Sequence, residues 1–170
     1  MASDVSARTR KIAYLGLLTA LAFVFSYIEY LLPLNIGIPG AKVGLPNIVI
    51  VTVLYVLGTA DAFILSVVRV LLVGLTFGNM SMMMYSMAGA LLSFAVMLVA
   101  TKTKKLSVTG VSVLGGVFHN IGQILVAMFI LETGSLVYYL PFLVMVGTAS
   151  GVIIGIIASL VVRRIRIFSH

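Results

Sequence analysis

The sequence predicts an all-α membrane protein, a single bundle of six transmembrane helices spread over residues 1–170, and three observations carry that reading. Hydrophobic residues make up 62% of the chain and charged ones only 9%. The runs 70–101 and 133–162 contain no Asp, Glu, Lys or Arg, which far exceeds the roughly ten-residue alternation of a membrane β-strand and leaves helices as the spanning element. Finally, nine of the eleven Lys and Arg residues fall in three short clusters between or beyond the apolar runs. At about 20 residues per span, 170 residues supply at most six or so crossings and leave little for a soluble domain.

The elements follow from the turn signals. Helix 1 is expected over about 11–32, stopping before Pro33. The opening MASDVSARTRKIAYLGLL has a basic segment before an apolar one, as a signal peptide would, but shows no convincing cleavage site and reads as a retained span. PLNIGIPGAKVG, with its prolines and glycines, forms the longest polar connection. A short helix 2 is expected over about 45–57. A tight turn at 58–61 leads to helix 3 at 60–77, and Gly78-Asn79 turns into helix 4 at 80–101. KTKKLS is a loop. Helix 5 covers about 109–131, a turn at 132–135 follows, and helix 6 covers about 137–162.

Charge then orients the bundle. Arg8, Arg10 and Lys11 precede helix 1; Lys102, Lys104 and Lys105 separate helices 4 and 5; Arg163, Arg164 and Arg166 follow helix 6. With six spans these fall on one side, so both termini are expected in the cytoplasm of a bacterial inner membrane protein. The net charge of +7 is thereby explained by topology and contact with anionic membrane lipids, not by nucleic acid. The absence of cysteine excludes disulfides, haem thioether attachment and thiolate metal sites. No metal site and no cofactor is expected.

Two cations escape this explanation. Lys42 lies in the outer loop, and Arg69 near the middle of helix 3, where a cation costs at least about 2.5–3.5 kcal/mol. Arg69 needs a partner: either Glu29, near the outer end of helix 1, or a polar pocket. Asp61 reads as a structural residue at a helix N-terminus. In FHNIGQ, His119 and Gln123 share a helix face about midway through the bilayer while Asn120 points roughly 100° away, giving a stripe that lines a site or bridges to a neighbouring helix. Asn79, Ser81, Tyr85 and Ser86 on helix 4, Asn35 in the loop and Asn47 on helix 2 approach the same outer half. The methionines of NMSMMMYSM form either an adaptable lining or ordinary packing. Ala13, Gly16 and Ala20 present small residues on helix 1, which let another helix come close, whether from within the bundle or from a partner subunit.

Most enzyme classes fail on inventory. The sequence has no HExxH, no Gly-rich nucleotide loop and no nucleophile with a base and an orienting acid, and its aspartates are only Asp4 and Asp61, too few to hold metal and pyrophosphate. Binding or transport remains. Across about residues 11–162 the motifs LLTALAFVFSYIEYLLP, GAKVGLPNIVIV and FHNIGQILVA resemble the bacterial Gx transporter family, often labelled heptaprenyl diphosphate synthase component I. That family is similar to the substrate-binding S components of energy-coupling-factor transporters. The resemblance implies a six-helix bundle with a ligand pocket open to the outside, a membrane coupling subunit and two cytoplasmic ATPases, with helix 1 docking through small residues. Gly16 and Ala20 stand where an alanine pair is expected.

The small-molecule site is therefore expected to comprise Glu29, Lys42, Asn47, Arg69, Asn79, Tyr85, Ser86, His119, Asn120 and Gln123. Lys42 and Arg69 favour an anionic group, on a vitamin-like, quinone-precursor or isoprenoid-related molecule. Two alternatives stay open: a non-catalytic membrane subunit of a prenyl diphosphate synthase, and a membrane scaffold for a flavin or quinone electron-transfer assembly.

Overall fold

The computed structural model describes residues 2–32 and 44–168, and within them every regular element is helical. Six α-helices follow in order: α1 Ala2–Leu31, α2 Asn47–Val56, α3 Thr59–Thr76, α4 Met80–Thr103, α5 Val108–Ile130 and α6 Leu140–Phe168, the last preceded by a 3-10 turn at Gly134–Tyr139. Five of these segments are long and apolar enough to cross a membrane.

The expectation of six spans is corrected at α2. With 10 residues it is about 15 Å long, half a hydrocarbon core. Val49, Ile50, Val51, Thr52, Val53 and Leu54 are all buried, so α2 is apolar all round because protein surrounds it. It forms the centre of the core, packed with Ala22, Ala62, Leu65, Phe94, Val111 and Ala158 from the longer helices.

Two boundaries also differ. Helix α1 begins at Ala2, not near residue 11, because the polar residues before the apolar stretch continue the helix; its 30 residues exceed the length a membrane requires. Helix α6 begins at Leu140 because Pro141, which lacks an N–H, is tolerated in a first turn, and it runs on through its basic end. The turn into α3 is as expected: Gly58 adopts a φ of 113°, which side-chain-bearing residues avoid.

Contacts fix the helix directions. Lys11 Nζ lies 2.9 Å from Asp61 Oδ2, joining the early part of α1 to the first turn of α3. At the far end Phe77, which caps α3, is surrounded by Phe23, Tyr27 and Tyr30 of α1 with ring centroids 5.4, 5.4 and 5.1 Å away. Those three residues share one helix face by their spacing. Helices α1 and α3 therefore run parallel. Helix α4 returns antiparallel to α3, α5 to α4 (Ser93 on Gly115) and α6 to α5 (Gly155 on Thr109). All three basic clusters consequently stand at one end of the bundle.

Asp61 is only 5% exposed, so its carboxylate depends on Lys11 and on the N-terminus of α3. A double-mutant cycle of Lys11→Ala and Asp61→Ala, read by thermal unfolding in detergent, is expected to give a coupling of roughly 1 kcal/mol, near the upper end for a partly exposed pair.

Candidate functional site

Helix α5 supplies the centre of the site because glycine lets its neighbours come close. A Cβ on Gly89 of α4 would lie 2.7 Å from the His119 carbonyl oxygen and 2.9 Å from Gln123 Cγ, and one on Gly122 would lie 2.8 Å from the Ala88 carbonyl oxygen. His119 and Gln123 thus lie against α4. Asn120, about 100° round the helix, faces α6 and donates from Nδ2 to the Leu143 carbonyl at 2.8 Å. The stripe legible in FHNIGQ therefore does two jobs, one part facing a cavity and one part tying two helices. Asn120→Leu is expected to cost about 0.6 kcal/mol, and at most about 1.7, in thermal unfolding, because interhelical hydrogen bonds in membranes average that little.

The cavity between the six helices is lined by Glu29, Asn47, Arg69, His119, Asn120 and Gln123, with Ser93, Ser112, Ser150, Met97 and the glycines 115, 116, 147 and 151 forming much of the rest of its wall. Its volume is about 40 Å³. That accommodates a few waters, each needing about 10–15 Å³ by the same measure, and is well short of the roughly 300 Å³ of a small-molecule site. A ligand larger than an ion must part the helices to occupy it.

Arg69 is the most costly component. It lies ten residues into α3, is 8% exposed, and its Nε has no hydrogen-bond partner among the described residues. Glu29 is the carboxylate that acts on it electrostatically. Glu29 also accepts a hydrogen bond from the Gly44 N–H, where the chain enters α2. Both residues border a second cavity, of about 20 Å³, lying against α3 between α1 and α4. Ser26, Val70, Val73, Gly74, Gly78, Met82, Met83 and Ser86 form the rest of its wall.

Seven of the ten predicted site residues therefore come together around these two spaces: Glu29, Asn47, Arg69, Ser86, His119, Asn120 and Gln123. Asn79 does not; it is exposed at the N-cap of α4 and accepts from the Met82 N–H at 2.8 Å, so its side chain serves the helix end. Tyr85 is half-buried and borders neither space. Lys42 and Asn35 lie outside the described residues. The methionine run divides, with Met80 and Met84 outward and Met82 and Met83 on the second cavity.

Ala13, Gly16 and Ala20 are all exposed on α1, and a Cβ on Gly16 would meet nothing within 4 Å. Among the described residues, packing within the bundle does not use them. Sequence reading missed the serines and glycines of the cavity wall, although the spacing of Gly147, Gly151 and Gly155 was a visible signal of close helix approach.

No curated protein and no solved structure matches the chain. The family model described as heptaprenyl diphosphate synthase component I matches residues 18–161, which includes all six α-helices at least in part and every residue named in the two cavities. With most of its length matched, the chain belongs to the heptaprenyl diphosphate synthase component I family.

Proposed function

We propose that the protein is the substrate-binding membrane subunit of an energy-coupling-factor-type importer for a small molecule, resembling the S components of such systems. The carrying observation is the convergence of Arg69, His119 and Gln123, from two different helices, on one buried polar cavity. Intramembrane ionisable groups are expensive and are retained where they meet a substrate or ion. Binding of a small molecule without chemistry is the reading that asks least of this inventory.

The outward small-residue face of α1 supports the second half of the reading. Residues 13, 16 and 20 offer another helix a close approach that the bundle itself leaves unused. In this reading the basic end of the bundle faces the cytoplasm, where the ATPases would sit. Gly16→Leu is expected to leave the purified subunit as stable as the parent and to abolish co-purification of the coupling and ATPase subunits from native membranes. Unchanged recovery of those partners would remove α1 as the docking face, and no ATPase in the parent preparation would end the importer reading.

The family description favours one alternative, a non-catalytic membrane partner of a prenyl diphosphate synthase. Restored long-chain prenyl synthesis on mixing the protein with a soluble catalytic subunit would select it.

A further inference from the structure

Resting on the reading of this protein as a substrate-binding subunit, we propose that its substrate is a small zwitterion, an amino-acid-like molecule whose acidic group docks on Arg69 and whose amino group docks on Glu29. The sequence pattern alone favours a plain anion; the cavities add the opposite charge. Among the described residues the titratable side chains bordering the two cavities are Glu29, Arg69 and His119. With a neutral imidazole their formal charges cancel. A plain anion would bring an uncompensated negative charge beside the buried Glu29 carboxylate, and a plain cation would do the same beside Arg69, in surroundings where an unbalanced charge is costly. A zwitterion presents an opposite charge to each residue and leaves the site neutral.

Placement supports the same conclusion. Glu29 of α1 and Arg69 of α3 are the two residues common to both cavities, so their side chains form the partition between the spaces. Each is 8% exposed. Neither space, of about 40 and about 20 Å³, holds more than waters by itself. A molecule that sets its own two charges between Glu29 and Arg69 replaces that partition and draws on both spaces at once. One that meets a single member of the couple has only one of them.

Hydrogen-bonding capacity at both residues fits this arrangement. The Arg69 Nε has no partner among the described residues, and a guanidinium carries five N–H donors in a planar fork, so its Nε edge can take a carboxylate whatever the other nitrogens contact. A charged acceptor satisfies that donor better than an uncharged one. A carboxylate has about four acceptor sites, so Glu29 can meet an ammonium while it keeps the Gly44 N–H. An uncharged polar molecule would use neither charge, and a plain anion would make Glu29 a liability.

The test uses the purified full-length protein in phosphatidylcholine nanodiscs, equilibrated with three pools of probes and read by native mass spectrometry: small α-, β- and γ-amino acids, the same molecules lacking the amino group, and the same molecules lacking the carboxyl group. At least one amino acid is expected to be retained on the parent protein, and neither its deaminated nor its decarboxylated counterpart should displace it at about tenfold excess. Glu29→Gln should lower retention of that amino acid about tenfold or more while raising retention of the deaminated acid, since the repelling carboxylate is gone. Arg69→Gln should lower both. Retention of the deaminated acid equal to that of the amino acid would overturn the proposal and assign the site to a plain anion; equal retention of the amine would assign it to a cation. Retention of no amino acid, or undiminished retention by Glu29→Gln, would overturn it too. The competition on the parent needs no variant, so a variant that fails to fold does not shelter the proposal. No coupling subunit enters the assay: binding of a plain acid would sink the zwitterion and leave the importer reading standing, and that reading is tested separately by the co-purification of ATPases.

Discussion

Gly151→Val is expected to destroy the folded bundle, with less than a tenth of the parent yield of monodisperse protein and, for what survives, an apparent Tm lower by roughly 6–12 °C. Its Cβ would stand 2.6 Å from Val113 Cα and 2.9 Å from the Ser112 carbonyl oxygen, both backbone atoms. A side chain can change rotamer to relieve a clash; a helix backbone cannot. Relief requires α5 and α6 to separate, and the same separation would break the neighbouring contacts, where a Cβ on Gly147 would lie 2.8 Å from the Gly116 carbonyl oxygen and one on Gly155 2.6 Å from Thr109 Cα. Helices in lipid associate by close packing, since lipid tails are as apolar as leucine, so a lost close approach has no hydrophobic compensation. Overpacking alone costs about 1–3 kcal/mol, and a seam touched at three successive turns reaches or exceeds the top of that range. Gly16→Val, on the exposed face of α1 with open space around it, should leave yield and Tm unchanged, which separates packing from any general dislike of valine in place of glycine.

That seam also shows what the sequence could and could not disclose. Run length and charge placement located the helices and most of their ends to within a few residues, the start of α1 at Ala2 and the end of α6 at Phe168 excepted, since a membrane demands long apolar segments and leaves basic residues outside them. The 3.6-residue period correctly separated Asn120 from His119 and Gln123. The inner half-helix was harder to read, because an apolar stretch of 13 residues looks much the same whether it meets lipid or protein. Ser93, Ser112 and Ser150 carry no periodic signature at all. Their role depends on which faces of α4, α5 and α6 meet, and long-range packing decides that. Asn79 was misplaced for a different reason: a helix-capping asparagine and a pocket asparagine are the same residue until the φ of −139° at the cap and its acceptor geometry are seen.

Whether Arg69 is kept for binding or for stability is decided by removing it together with its counter-charge. Arg69→Met alone would take away the guanidinium that acts electrostatically on the buried Glu29 carboxylate, and removing one of two coupled buried charges costs up to about 3–5 kcal/mol, so a loss of stability there would be uninformative. Adding Glu29→Gln removes that penalty, and the new amide oxygen can still accept from the Gly44 N–H. For the double variant the signs reverse. An arginine in the middle of a membrane helix costs at least about 2.5–3.5 kcal/mol to insert, its Nε has no partner among the described residues, and methionine is long and flexible enough to fill much of the space it vacates. Replacing a buried ion pair by residues of similar volume is commonly neutral or stabilising by about 1–4 kcal/mol. The double variant is therefore expected to unfold at or above the parent Tm while the small molecule that native mass spectrometry finds on the purified parent is no longer retained. A site that improves in stability when its charges are removed is one whose charges serve a ligand. If the double variant instead unfolds well below the parent, by the equivalent of more than about 1 kcal/mol, Arg69 and Glu29 hold the helices together. The cavity they border would then be a by-product of packing.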